Sequence, residues 1–244
     1  AEDGIRDEAS CLVGSEMCIR DRSMKHLSRQ DLLVVPKPVL VLLFLMVPLP
    51  PVMAADVNLT ESVPYLDVEH EGRIVRIERI QDSTNKLDNS FAKTSRPCPP
   101  FCIHPMRAAI GVETVGELEL LDFLVSKVRQ NRGLLIDARL PEWYQKGTIP
   151  GAVNIPWTIL ASGPDNPHTA RILRALDAED VNGEWDFRDA LDLLLFCNGP
   201  WCDQSPRAIK NLLSLGYPPQ KLQYYRGGMQ LWQLMGLTTV LPEL

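Results

Sequence analysis

The chain has 244 residues, 45% of them hydrophobic and 23% charged, with a formal net charge of −6. That length accommodates one ordinary domain with an extension. The acidic balance, without a basic cluster, argues against nucleic acid or an anionic membrane surface as partner.

Residues 1–23 include Cys11-Leu-Val-Gly-Ser-Glu-Met-Cys18 followed by Ile-Arg-Asp-Arg. This run resembles translated sequencing-adapter read-through and is set aside as a non-native leader. Residues 24–55 read as a secretory signal peptide. Met24 is followed by the positive Lys25, His26 and Arg29, then by an apolar stretch over 39–47 broken at Pro48, Pro50 and Pro51; Ala54 and Ala55 suit cleavage. The apolar run is too short to span a bilayer comfortably, so no stable membrane insertion is expected after cleavage. A periplasmic or secreted location is expected, where disulfides are allowed.

Residues 56–110 form an extension. Within 64–80, apolar and polar residues alternate from Arg73 to Arg79, and His70-Glu71-Gly72 reads as a hairpin turn. Residues 81–97 are polar and turn-rich. Cys98-Pro-Pro-Phe-Cys102 follows, stiffened by its prolines. A Cys98–Cys102 disulfide is the plain reading, and a redox pair exchanging with Cys197 or Cys202 is the other. The four cysteines allow three full pairings, among which the sequence does not choose. Cys98, Cys102, His104 and Met106 also form a soft ligand set suited to copper, but the prolines oppose convergence, and no metal or other cofactor is expected.

From residue 111 to 244 strands and helices alternate. An apolar stripe over 117–128, at Leu118, Leu121, Leu124, Val125 and Val128, predicts a helix. Strands are expected over 133–138 and 152–155, with a turn of helix over 140–146 between them. Residues 162–188 read as a polar loop with one helix over 170–176; His70 and His168 read as loop residues. A strand over 193–196, a helix over 206–215, a strand over 222–225 and a helix over 229–235 complete the pattern. Such alternation implies an α/β fold, a central parallel sheet with helices on both faces. Ligands bind at the C-terminal edge of such sheets.

Cys197 sits at that edge, directly after Leu193-Leu-Leu-Phe196. Ser205-Pro206 reads as the N-cap and first position of the next helix. Unpaired amides and the helix dipole favour a thiolate there, and the thiolate is the nucleophile; a buried cysteine that merely ends a strand is the alternative. The loop Asn198, Gly199, Pro200, Trp201, Cys202, Asp203, Gln204 and Ser205 is the candidate anion cradle. Cys202 is either a resolving thiol or a packed, inert cysteine. Trp157, Trp185 and Trp232 read as core or rim, and Trp201 as a cover for the sulfur. A phosphatase would need Arg six residues after Cys197, where Asp203 stands, so that chemistry is excluded.

Three segments resemble the rhodanese-like family. They are Leu135-Ile-Asp-Ala-Arg-Leu-Pro-Glu-Trp143, Gly147-Thr-Ile-Pro-Gly-Ala-Val-Asn-Ile-Pro156 and Tyr225-Arg-Gly-Gly-Met-Gln-Leu-Trp232. Thr148 stands where that family usually has His. The resemblance covers about residues 112–240. It implies a small α/β domain in which Cys197 carries a persulfide during sulfur transfer.

Asp137 and Arg139 are expected as a supporting ion pair; Arg226 either holds an anionic substrate or is solvated. The loop 198–204 has no Arg or Lys, and Asp203 would repel a dianionic donor. The expected activity is an exported sulfurtransferase acting on a small-molecule sulfur donor and a thiol acceptor, which can be an exported redox protein. The alternatives are a thiol-disulfide or sulfur-relay partner using Cys197 with Cys202, and a non-catalytic binding module.

Overall fold

The computed structural model describes residues 56–87, 90–98, 101–160 and 168–243. The segments expected as leader (1–23) and signal peptide (24–55), with Cys11 and Cys18, and also Pro99, Pro100 and residues 161–167 lie outside the described residues.

Strands β1 (Tyr65–His70) and β2 (Arg73–Glu78) pair antiparallel as the expected hairpin. Glu71 and Gly72 make its turn, both at positive φ (49° and 74°), the geometry that matches strand twist. His70 is therefore not a loop residue. It ends β1, is buried, and its Nδ1 accepts the Gly151 amide at 3.2 Å.

The remaining strands are β3 (Glu113–Val115), β4 (Gly133–Asp137), β5 (Ala152–Asn154), β6 (Glu179–Val181), β7 (Glu184–Asp186), β8 (Asp192–Phe196) and β9 (Leu222–Tyr225). Five of them form the central sheet in the order β3-β9-β8-β4-β5, with every pair parallel. The helices are α1 (Glu117–Phe123), α2 (Pro141–Tyr144), α3 (Trp157–Leu160), α4 (Thr169–Ala175), α5 (Gln204–Ser214) and α6 (Gly228–Leu234).

Strand alternation divides the core between the two faces. Leu194 and Phe196 of β8 join Leu135, Tyr225 and the helical Leu120, Leu121, Met229 and Trp232 on one side. Leu193 and Leu195 join Ile136, Tyr224 and the helical Leu173, Ala208, Ile209 and Leu212 on the other. Each fully buried large apolar side chain is worth about 1.5–3 kcal/mol. Val68 and Ile77 of the hairpin and Phe91 belong to the first cluster, so the extension shares the core of the sheet.

Three expectations are corrected. The helix over 117–128 changes pitch: Leu124–Val128 is a π turn, with the Arg129 amide reaching Leu124 O at 2.9 Å. Leu118 of the expected stripe is exposed, because Leu120, Leu121 and Leu124 make the buried face. The expectation of one helix and a loop over 162–188 omits the β6–β7 hairpin, whose turn is Asn182-Gly183 at φ 58° and 89°.

Candidate functional site

Cys197 follows β8 at the C-terminal edge of the sheet and is 1% exposed. The Ser205 hydroxyl donates to its sulfur at 3.1 Å. Burial pushes the thiol up, but hydrogen bonds from the Cys202 thiol, the Ser205 hydroxyl and the Ser205 and Gly199 amides outweigh it and lower the pKa to about 7. In its protonated form the thiol donates to the Cys202 carbonyl at 3.3 Å.

The expected cap is two residues out of register. Asp203 is the N-cap of α5, Ser205 lies inside the first turn, and Pro206 follows it, where its missing N–H leaves no helical bond unmade. The physical reason is that the Ser205 hydroxyl is spent on sulfur and not on the helix amides. Asp203 makes no side-chain cap bond either, because its carboxylate accepts Arg207 Nε at 2.6 Å. The repulsion expected from Asp203 toward an anionic donor is thereby offset by a guanidinium absent from the loop itself.

Cys202 is also buried and unbonded to another cysteine. Burial raises its thiol well above the ordinary value, and the neighbouring Cys197 charge raises it further. The pair therefore holds one proton asymmetrically: Cys197 is the thiolate and Cys202 its donor.

Helix α6 fixes the loop from below. The Met229 and Gln230 amides donate to the Cys197 and Asn198 carbonyls at 3.0 and 2.9 Å. Gly228 makes this approach at φ 55°, and a Cβ there would lie 2.7 Å from the Gly199 nitrogen. Gln230 Oε1 accepts Trp201 Nε1 at 2.7 Å, and its Nε2 donates to the Phe91 carbonyl at 3.1 Å.

Asp137 and Arg139 form a fully buried pair, Arg139 Nη2 to Asp137 Oδ2 at 2.6 Å. Arg139 also donates to the Gly147 carbonyl at 2.6 Å and to Asn198 Oδ1 at 3.3 Å. Thr148 donates its hydroxyl to Asp137 at 2.8 Å, and Asn154 Nδ2 donates to the Asp137 and Arg139 carbonyls, each at 2.9 Å. This network touches the loop through Asn198 and not through the sulfur, so its role is to hold the cradle's shape.

The extension lies against the same loop. The His104 amide donates to the Pro200 carbonyl at 2.9 Å. Phe101 meets Trp201 edge-on with centroids 5.2 Å apart, and Phe91 and Trp143 complete the aromatic cluster at 6.5 and 6.4 Å from Trp201. The Arg96 guanidinium stacks 3.9 Å from the Trp201 ring centroid. Cys98 and Cys102 are joined by a disulfide with Cα atoms 5.0 Å apart. Arg226 is half-buried and donates to the His104 and Pro105 carbonyls at 2.8 and 3.2 Å.

The structure brings Cys197, Cys202 and Ser205 together. Sequence reading misses Gln230, Thr148 and Arg96, whose contacts arise across the fold, and Arg207, which pairs with Asp203 one helical turn away. Among the described residues no group of three or more His, Cys, Asp or Glu could hold a metal ion, and no helix is long and apolar enough to cross a membrane.

Residues 121–235 match the family model of the rhodanese-like domain. An HTH-type transcriptional regulator of Mycobacterium tuberculosis is 30% identical over 103 residues, covering 42% of this chain; the chain spans about a third of that relative, 35% of its length. A human single-domain sulfurtransferase aligns with a TM-score of 0.34 at 29% identity, over 50% of this chain and 96% of its own. A thiosulfate sulfurtransferase from Pseudomonas aeruginosa aligns with a TM-score of 0.37 at 19% identity, over 54% of this chain and 21% of its own.

Proposed function

We propose that this rhodanese-like domain is a sulfurtransferase that carries sulfane sulfur on Cys197 and passes it to a thiol or other nucleophilic acceptor. One observation supports it most: four donors converge on the Cys197 sulfur from Cys202, Ser205 and Gly199, and lower its pKa despite complete burial. Donors placed where negative charge resides stabilise a thiolate and an anionic persulfide alike.

With thiosulfate as donor, the Cys197 thiolate attacks the sulfane sulfur. A Cys197–sulfane bond forms, the bond to the sulfonate sulfur breaks, and its electron pair leaves with sulfite. An acceptor thiolate then attacks the outer sulfur and returns Cys197 as thiolate. The Asp137–Arg139 network and the α6 amides keep the cradle in place through both steps.

The Cys98–Cys102 disulfide suits an oxidising compartment, which supports an exported protein with a small sulfur donor and a thiol-bearing partner. The Cys197→Ser variant is expected to lose transfer from every donor while keeping its circular dichroism. Retained turnover in that variant would overturn the assignment.

A second reading, a non-catalytic module presenting the loop to a partner, is favoured by the near-complete burial of Cys197 beneath a covered loop. It predicts no persulfide from any donor and unaltered partner binding in Cys197→Ala.

A further inference from the structure

We infer that Cys202 resolves the Cys197 persulfide within the same loop, releasing hydrogen sulfide and leaving a Cys197–Cys202 disulfide. This rests on the proposed persulfide.

The loop backbone brings the two sulfurs together. The Cys202 amide donates to the Gly199 carbonyl at 2.9 Å, a turn that folds residues 199–202 back over Cys197. The Cys202 carbonyl then lies 3.3 Å from the Cys197 sulfur, so the Cys202 side chain starts from backbone already packed against that sulfur. Asn198 Nδ2 stands 3.9 Å from the Cys202 sulfur, on a side chain anchored by Arg139. Cys98 and Cys102 are bonded to each other, so among the described residues Cys202 is the free thiol beside Cys197 in the loop.

The chemistry balances. Cys197 persulfide anion and Cys202 thiol react to give the disulfide and hydrosulfide. The Cys202 proton passes to the outer sulfur. The Cys202 sulfur then attacks the Cys197 sulfur, forming the new S–S bond, and the bond to the outer sulfur breaks with its electron pair leaving as hydrosulfide. The two cysteine sulfurs are oxidised and the sulfane sulfur is reduced. Cys202, with the higher pKa of the pair, gives the more nucleophilic thiolate once its proton has moved, and hydrosulfide is a low-pKa leaving group. An external reducing dithiol must then reduce the disulfide to restore both thiols, so a dithiol is the class of partner this site requires for turnover.

The test loads wild-type protein, with Cys98–Cys102 intact, using thiosulfate or a small organic persulfide, with no added thiol. Released sulfide and an unreduced peptide map are then measured. The expected result is one sulfide released per chain and a linked pair of Cys197 and Cys202. Cys202→Ser is expected to keep the extra sulfur on Cys197 and to release none. If wild-type protein keeps the extra sulfur on Cys197 and releases no sulfide, the resolving role is overturned while the persulfide stands. If neither protein takes up sulfur, the persulfide falls and the resolving role with it. The wild-type measurement decides the matter even if Cys202→Ser folds poorly.

Discussion

The Ser205 hydroxyl donates to the Cys197 sulfur at 3.1 Å, from the first turn of the helix that the loop leads into. A side chain placed to cap a helix instead solvates a thiolate. A hydrogen bond to a charged group contributes about 1.5–3 kcal/mol, and one pK unit corresponds to about 1.4 kcal/mol. Ser205→Ala should therefore raise the Cys197 pKa by about one to two units. The pH midpoint of alkylation at Cys197 reads this directly, and an unmoved midpoint would remove the hydroxyl from the account.

The wild-type profile follows from the same lowered pKa. Thiolate accumulates as pH rises through about 7, so alkylation at Cys197 should climb through that pH and level off above it. Cys202→Ala removes one donor and should shift the climb upward. Cys202 itself, held well above the ordinary thiol value, should stay unreactive across the same range.

The buried Asp137–Arg139 pair predicts a stability effect separate from chemistry. Arg139→Met leaves Asp137 charged and buried without its guanidinium, a change that typically costs about 3–5 kcal/mol. Urea unfolding should show that loss. Glu142→Ala, at an exposed position of α2 in the same segment, should change stability by less than about 0.5 kcal/mol.

Gly228→Ala tests the clamp beneath the loop. Its Cβ would meet the Gly199 nitrogen and the Asn198 carbonyl carbon at 2.7 and 2.9 Å, backbone atoms that cannot swing aside. Displacing them moves the Gly199 amide away from the sulfur. Sulfur loading should fall by at least tenfold, a shift of about 1.4 kcal/mol, with the far-UV circular dichroism retained.

The aromatic cluster over the loop predicts access control. Phe101→Ala removes the edge-on contact with Trp201 and should speed alkylation of Cys197 at pH 9, where thiolate fraction no longer limits the rate. An unchanged rate would show that the sulfur is reached from another side.

The fold and the position of Cys197 at the sheet edge were legible because their signals are local. Leu193–Phe196 is a continuous apolar run, which is what a strand buried on both faces requires. Cys197 comes directly after it. Asp137 and Arg139 are two residues apart and pair across one turn of chain. What sequence reading missed is long-range or depends on side-chain competition. Gln230 reaches Trp201 from 29 residues away, and Arg226 turns to carbonyls about 120 residues back along the chain. Ser205 resembles a cap in sequence, and only its proximity to sulfur redirects the hydroxyl. Asn182-Gly183 is a local hairpin signal, but its flanking strands are only three residues each and too short to show alternation.

The most direct test of the central claim is peptide mass analysis of Cys202→Ser protein after exposure to thiosulfate, a small organic persulfide or mercaptopyruvate. One added sulfur is expected, on the peptide that carries Cys197. Unmodified Cys197 after every donor, in protein whose Cys197 still alkylates at neutral pH, would contradict it.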